Sequence, residues 1–450
     1  MNLIFIVVDT LRADYLGCYG NRLVRTPHLD ALAGESALFE NAHAEALPTL
    51  PARRSLYTGR RIFPSLFYGQ ADDTACLWRG WHGLYAEDVT LSETLRDADY
   101  TTALVSDVYH QFKPGKNFHR GFQSWRWVRG QETDYDAYGP DPAALYSRYG
   151  YVRPGGKPEW LLERYLRNRQ HWRSEQDWPV ARTFSEAARW LANNAGDNQP
   201  FYLHIESFSP HEYWDPPERF YDLYAPPEYA GPWLIYPPPY APSRLEFDHI
   251  RALYSGLVTF FDEQLGRFLA AARELRALEN TLVVLVADHG TFLGERGELG
   301  KTEGQLRRQL TRVPLLVRHP ERPWAGRRIP GFVQHTDLMP TLLDALGLRA
   351  PERVTGESLL PLLESSAPSR REKIYIGWNN HGAIRSADWL YVGHWNGGDG
   401  WEELYDLRRD PAEVNDVLHQ HADLQAQYRA ELQRYVEDGW ATTRGSLVPE

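Results

Sequence analysis

Sulfur is scarce in this chain, with two cysteines, Cys18 and Cys76, and two methionines among 450 residues. Two thiols form at most one bridge, so no disulfide framework supports the fold, and a reducing compartment suits the composition. Long apolar runs are missing as well. The opening run Leu3 to Val8 is too short to span a bilayer, and it lacks both the basic flank and the small-residue cleavage site of a secretory leader. A cytoplasmic location with no membrane partner is therefore expected. Net positive charge is also absent. A formal charge of -11 repels polyanions, so nucleic acid is not an expected partner and any anionic ligand must be held by local cations.

Aromatic residues are plentiful: 26 Tyr, 17 Phe and 16 Trp, in a chain that is 42% hydrophobic and 24% charged, make a composition that folds. The length exceeds that of a usual single domain, which predicts a large domain with a smaller appendage. Leu3 to Val8, Thr101 to Val105, Phe201 to Ile205 and Leu282 to Ala287 read as strands separated by helical patterns near His28–Leu32, Leu91–Leu95, Phe184–Leu191 and Leu253–Leu278. Apolar strands alternating with helices predict an α/β fold with a large, mostly parallel sheet covered by helices. Residues 120–180 and 213–245 read as long, structured, aromatic loops that shape a pocket. After about residue 365 the texture changes to short strands and a closing helix near Leu424–Val436, a small α+β subdomain; the expected division is 1–365 and 366–450.

In an open parallel sheet, ligands gather beyond the carboxyl ends of the strands. Asp9 and the pair Asp288-His289 sit there, and two carboxylates with one imidazole suit a divalent cation. Taken singly, Asp9 reads equally well as a helix cap and Asp288-His289 as an ordinary turn. The stretch Pro48 to Arg60 places a hydroxyl, Thr49, and the guanidinium of Arg53 at the start of a helix, where an anion finds free N–H groups; a Thr cap with solvated arginines is the other reading. Gly300-Lys301-Thr302 is no phosphate-binding loop, because the glycine required at position 295 is Glu295.

Taken together, these pieces resemble the sulfatase family of the alkaline phosphatase superfamily. Its signature, Cys or Ser-x-Pro-x-Arg and, after four further residues, Thr-Gly, is matched by Pro51, Arg53, Thr58 and Gly59, with Thr49 in the first position. Asp9 through Gly20, Thr26 to Asp30, Ser209-Pro210-His211-Glu212 to Pro216-Pro217, Asp288-His289-Gly290 through Lys301, Arg312 to Leu315, Asp337 to Thr341 and Leu404 to Leu407 follow the family's landmarks in order. The resemblance implies an alkaline-phosphatase-like sandwich and a metal-dependent ester hydrolase. It implies that Asp9, Thr49, Asp288 and His289 hold one divalent ion, that Thr49 attacks, that Arg53 orients it, and that His211 and Lys301 bind the transferring group, one of them protonating the leaving oxygen. Thr10, His110 and His335 are weaker candidates for lining the pocket. A histidine among oxygen ligands favours Mn²⁺ or Zn²⁺ over Ca²⁺ or Mg²⁺.

Three departures matter. Sulfatases oxidise the signature Cys or Ser to an aldehyde, which threonine cannot form. Thr10 and His289 stand where the family has an acid and an asparagine. Ser106-Asp107-Val108-Tyr109-His110 replaces a Gly-Lys-Trp-His run, removing a lysine. A threonine hydroxyl beside a divalent ion is an ordinary nucleophile toward phosphorus. The expected substrates are therefore small anionic esters, with phosphodiesters, phosphomonoesters or phosphonate esters favoured over sulfate monoesters. A phospho-group transferase and an inactive binding homologue are the remaining alternatives, and a homo-oligomer is compatible with the sequence.

Overall fold

The computed structural model describes residues 1–65, 80–137, 139–146, 148–149, 160–196, 199–365, 371–395 and 400–444, so Cys76 lies outside the described residues. Its strands are β1 (Asn2–Val8), β2 (Ala37–His43), β3 (Thr101–Ser106), β4 (Ser124–Trp127), β5 (Phe201–Ser207), β6 (Thr281–Ala287), β7 (Phe292–Leu293), β8 (Leu299–Gly300), β9 (Arg312–Val313), β10 (Leu315–Arg318), β11 (Arg328–Gln334), β12 (Lys373–Trp378), β13 (His381–Ser386), β14 (Trp389–His394) and β15 (Glu403–Asp406). Among the described residues, nine strands form one sheet, in the order β11-β2-β10-β6-β1-β5-β3-β4 with β9 beside β2.

The central strands β1, β5 and β6 are parallel and in register, Val8 lying opposite Ser207 on one side and Ala287 on the other. Every residue from Leu3 to Val8 and from Leu282 to Ala287 is buried, as continuous apolar runs covered on both faces require. The sheet is mixed, because β10 runs antiparallel to both β2 and β6. One group of helices, α1 (Pro27–Gly34), Pro179–Asn194 and Arg244–Glu274, packs together; a second surrounds α2 (Thr49–Thr58) and includes Leu91–Asp97 and Leu338–Ala345.

Two expectations are corrected. The long helix begins at Arg244, well before Leu253, and its start is marked by a capping box in which Ser243 and Glu246 bond reciprocally. The 120–180 stretch is not loop throughout, since it holds β4 and the helix Trp160–Arg169. Among the described residues β4 is an edge strand bonded only to β3, and its residues Ser124 to Arg126 are exposed, so the alternation that marks a half-buried strand is missing. The 213–245 stretch is not loop throughout either: it holds the short helix Glu218–Tyr221 and runs into the long helix at Arg244, with Trp214 and Ile235 fully buried. Near the C-terminus, β12 to β15 form an antiparallel sheet against the helix Ala422–Arg444. That sheet braces the segment before α2, where the Leu47 N–H donates to Gly377 O at 2.9 Å. Among the described residues no helix is long and apolar enough to cross a membrane.

Candidate active site

Asp9 and Asp288 each follow the last residue of a central strand, and because β1 and β6 pair in register the two carboxylates emerge side by side. The chain then turns at Gly290, where a Cβ would come within 2.0 Å of the Gln309 carbonyl oxygen, so only glycine permits this approach directly after His289. One ligand atom from each of Asp9, Asp288 and His289 lies within 4.8 Å of the others, and all three residues are fully buried. Neither oxygen of Asp9 accepts a hydrogen bond, though Oδ2 lies 3.2 Å from Arg53, and Nε2 of His289 has no hydrogen-bond partner, while its Nδ1 is engaged by the Gly290 carbonyl at 2.8 Å. Burial, and then the neighbouring Asp288, push the Asp9 carboxyl well above the usual range. Buried polar atoms without partners are costly, and two carboxylates and an imidazole nitrogen facing one point fit a divalent cation.

Thr49 opens α2 and Arg53 follows one helical turn later on the same side. The helix is buried from Thr49 to Thr58 and ends at Gly59 in the left-handed region, φ 62°. The Arg53 guanidinium is fully buried. Its Nη1 donates to the Thr49 carbonyl at 3.1 Å and to Asp288 at 2.5 Å, and lies 3.2 Å from Asp9. Nε donates to Glu206 at 2.8 Å. Arg53 thus ties the nucleophile candidate to the carboxylate pair.

Thr10 sits between these parts at φ 54°. Its N–H donates to Asp288 Oδ1 at 3.1 Å, while its buried hydroxyl oxygen has no partner. A β-branched residue at positive φ carries strain, held here by Tyr254, whose hydroxyl donates to the Thr10 carbonyl at 2.7 Å.

On the other side, Lys301 follows the β7–β8 hairpin and His211 follows β5. Lys301 Nζ donates to His211 Nε2 at 2.8 Å and to Glu212 at 2.7 Å. His211 Nε2 is therefore an acceptor, and Nδ1 carries the proton that reaches the Glu212 carbonyl at 2.5 Å. Burial draws the His211 pKa down to about 4. For Lys301, burial opposes the charge, but Glu212 and Asp9 outweigh it and the ammonium's pKa rises. The pair is a neutral imidazole against a charged lysine.

His110 is buried beside Glu132, 3.4 Å away, with Nδ1 unpartnered. His335 donates Nε2–H to the Ala287 carbonyl at 3.0 Å, and burial lowers its pKa to about 4; the contact supports the end of β6. The sequence reading missed Glu206, Glu212 and Glu132. For Glu206 the signal was visible: His204 and Glu206 are polar residues inside the otherwise apolar run of β5.

The sulfatase family profile matches residues 1–348, and the profile described as N-sulphoglucosamine sulphohydrolase, C-terminal, matches residues 304–438. The chain is 25% identical over 483 aligned positions to the N-acetylglucosamine-6-O-sulfatase of Bacteroides thetaiotaomicron, covering 93% of this chain and 82% of that protein. It is 29% identical over 414 positions to the iduronate 2-sulfatase of Mus musculus, covering 78% of this chain and 70% of that one. Its fold matches the crystal structure of the phosphonate monoester hydrolase of Agrobacterium radiobacter with a TM-score of 0.73 at 22% identity, over 96% of this chain and 94% of that one. Sulfatase-family members are metal-dependent hydrolases, and the buried Asp9, Asp288 and His289 are a group that could hold such an ion. With its profile matched over most of the length, the chain belongs to the sulfatase family.

Proposed function

We propose that this protein hydrolyses sulfate monoesters at a divalent-metal site, with the unmodified Thr49 hydroxyl as nucleophile. The observation that carries the reading is the convergence of Asp9, Asp288 and His289 on one point, joined through Arg53 to the residue in the signature position. The residue types favour no bond by themselves, and Thr49 alone argues for phosphorus. The curated relatives named above are sulfatases, which favours sulfur.

Asp9, Asp288, His289 and the Thr49 hydroxyl would hold the ion, which supplies a lowered hydroxyl pKa and a Lewis acid. Arg53 faces the transferring group from the Thr49 side. Lys301, charged and donating to the neutral His211, is the proton source for the leaving oxygen. A phosphodiester or phosphonate monoester hydrolase is the second reading, favoured by Thr49 because threonine cannot form the aldehyde.

The deciding experiment compares matched aryl sulfate, phosphate, phosphodiester and phosphonate esters on the metal-loaded protein, beside Thr49→Ala. The expected kcat/KM order places the sulfate above the phosphate monoester, and T49A loses roughly 10³-fold or more. A phosphodiester or phosphonate outrunning the sulfate would install the second reading, and near-normal turnover by T49A would remove Thr49 from the chemistry.

A further inference from the structure

We propose that Glu206 is a positioning residue that aims the Arg53 guanidinium, a role that rests on Arg53 contacting the transferring group as proposed above. Glu206 is the penultimate residue of β5, with no exposed surface. Oε2 takes the Nε–H of Arg53 at 2.8 Å. Oε1 accepts from the Tyr57 hydroxyl at 3.2 Å and from Gln111 Nε2 at 2.8 Å, and His204 Nε2 lies 3.1 Å from it.

The directions of these bonds are determined. The Ser106 hydroxyl donates to Gln111 Oε1 at 2.7 Å, which turns the amide nitrogen toward Glu206. The Tyr202 hydroxyl lies 2.6 Å from His204 Nδ1. With Nδ1 accepting that hydroxyl, Nε2 carries the imidazole proton and donates to Glu206. Tyr202, His204 and Glu206 are alternate residues of one strand and share a face, so the array is built by the register of β5 and cannot swing.

What it holds in place is a plane. Once Nε is committed to Glu206 and Nη1 to Asp288 and the Thr49 carbonyl, the direction of Nη2 is set by the rigid guanidinium. Nη2 is buried and has no acceptor, which leaves it as the donor available to an oxygen of the ester. A buried carboxylate is an expensive way to stabilise a core, and an apolar residue of similar volume does so at lower cost. Its presence under Arg53, fed by three neutral donors, matches a demand for orientation.

The test uses the full-length, metal-loaded protein with E206D, which keeps the charge but withdraws it by one methylene, and E206Q, which keeps the reach but removes the charge. Metal content, kcat and KM on an aryl sulfate, and affinity for vanadate and inorganic sulfate are measured for each. With metal content unchanged, E206D is expected to lose about 30-fold in kcat and about 10-fold in vanadate affinity, with KM moving much less. E206Q, which still offers an oxygen to Nε, is expected to lose about 3-fold to 10-fold in kcat. Y202F, which frees the His204 ring without touching Arg53, is expected to shift vanadate affinity in the same direction by about 3-fold. Wild-type kcat and vanadate affinity in E206D would overturn the proposal, as would losses that vanish when rates are expressed per bound metal ion. If E206D does not fold, E206Q and Y202F decide by the same measurements, and wild-type behaviour in both overturns it. Should the wild type hydrolyse none of the esters, the proposed function fails, while the oxyanion affinities still judge Glu206.

Discussion

The two halves of the site are made of different material. Asp9, Asp288, His289 and Arg53 stand at the ends of paired central strands and on one buried helix, with side chains fully excluded from water. His211, Glu212 and Lys301 come from the loop after β5 and the turn after the β7–β8 hairpin, and keep 5 to 13% of their side-chain surface exposed. The rigid half is a socket whose members are held by bonds to one another and to the sheet around them. The loop half is one ion pair, Lys301 with Glu212, together with the neutral His211 to which Lys301 also donates. Damage to the first half is expected to abolish a prerequisite of the reaction, and damage to the second to lower its rate.

The largest effect is expected from Asp288→Ala. Arg53 Nη1, the Thr10 N–H and the His289 N–H all lose an acceptor, and the proposed metal site loses one of its carboxylates. Metal analysis should find less than about a tenth of the wild-type ion after dialysis, with turnover at background. Retention of a full equivalent of metal would show that Asp9 and His289 suffice and break the contrast between the halves. Lys301→Ala comes next. Its expected cost is roughly 10²-fold in kcat with metal content intact, and a leaving group of low pKa, which needs no proton, should recover most of the loss. Equal losses for good and poor leaving groups would remove Lys301 as the proton source.

The pH profile separates the halves more gently. His211 accepts a hydrogen bond from Lys301, so protonating it as pH falls through about 4 sets two cations against each other. Activity should stay level from neutrality down to about pH 5 and fall below it. An acid limb centred near the ordinary histidine value of about 6.5 would mean that His211 is not held neutral.

The same contrast explains what the sequence disclosed. Strand ends announce themselves: a run such as Leu282 to Ala287 closing on Asp288-His289-Gly290 marks a buried strand and the residues beyond it, and in-register pairing then brings Asp9 and Asp288 together without further information. Thr49 and Arg53 were legible because four residues make one helical turn. The loop half was legible only through family landmarks. Glu212 stands in the same landmark as His211 and still received no role, since its bond to Lys301 depends on a hairpin 89 residues away in sequence. Glu132 sits in a stretch with no periodic pattern at all.

The smallest effect concerns the aromatic 213–245 segment. His249, on the helix Arg244–Glu274, receives the Leu234 N–H on Nε2 at 3.2 Å and pairs with the Tyr221 hydroxyl through Nδ1 at 2.8 Å. Nε2 must therefore remain unprotonated for the 213–245 segment to stay bonded, and burial lowers the pKa to about 4. An unfolded-state histidine titrates near 6.5. As pH falls from about 6.5 to about 4, the unfolded chain takes up a proton that the native state refuses, so stability declines through that window, by at most roughly 2–3 kcal/mol from this one residue. Thermal melts of metal-free protein at pH 7 and pH 4.5 should show the decline, and His249→Gln should shrink it while lowering the pH 7 melting temperature slightly. An unchanged pH dependence in H249Q would place the acid sensitivity elsewhere, with buried His82, lowered to about 3, as the next residue to test.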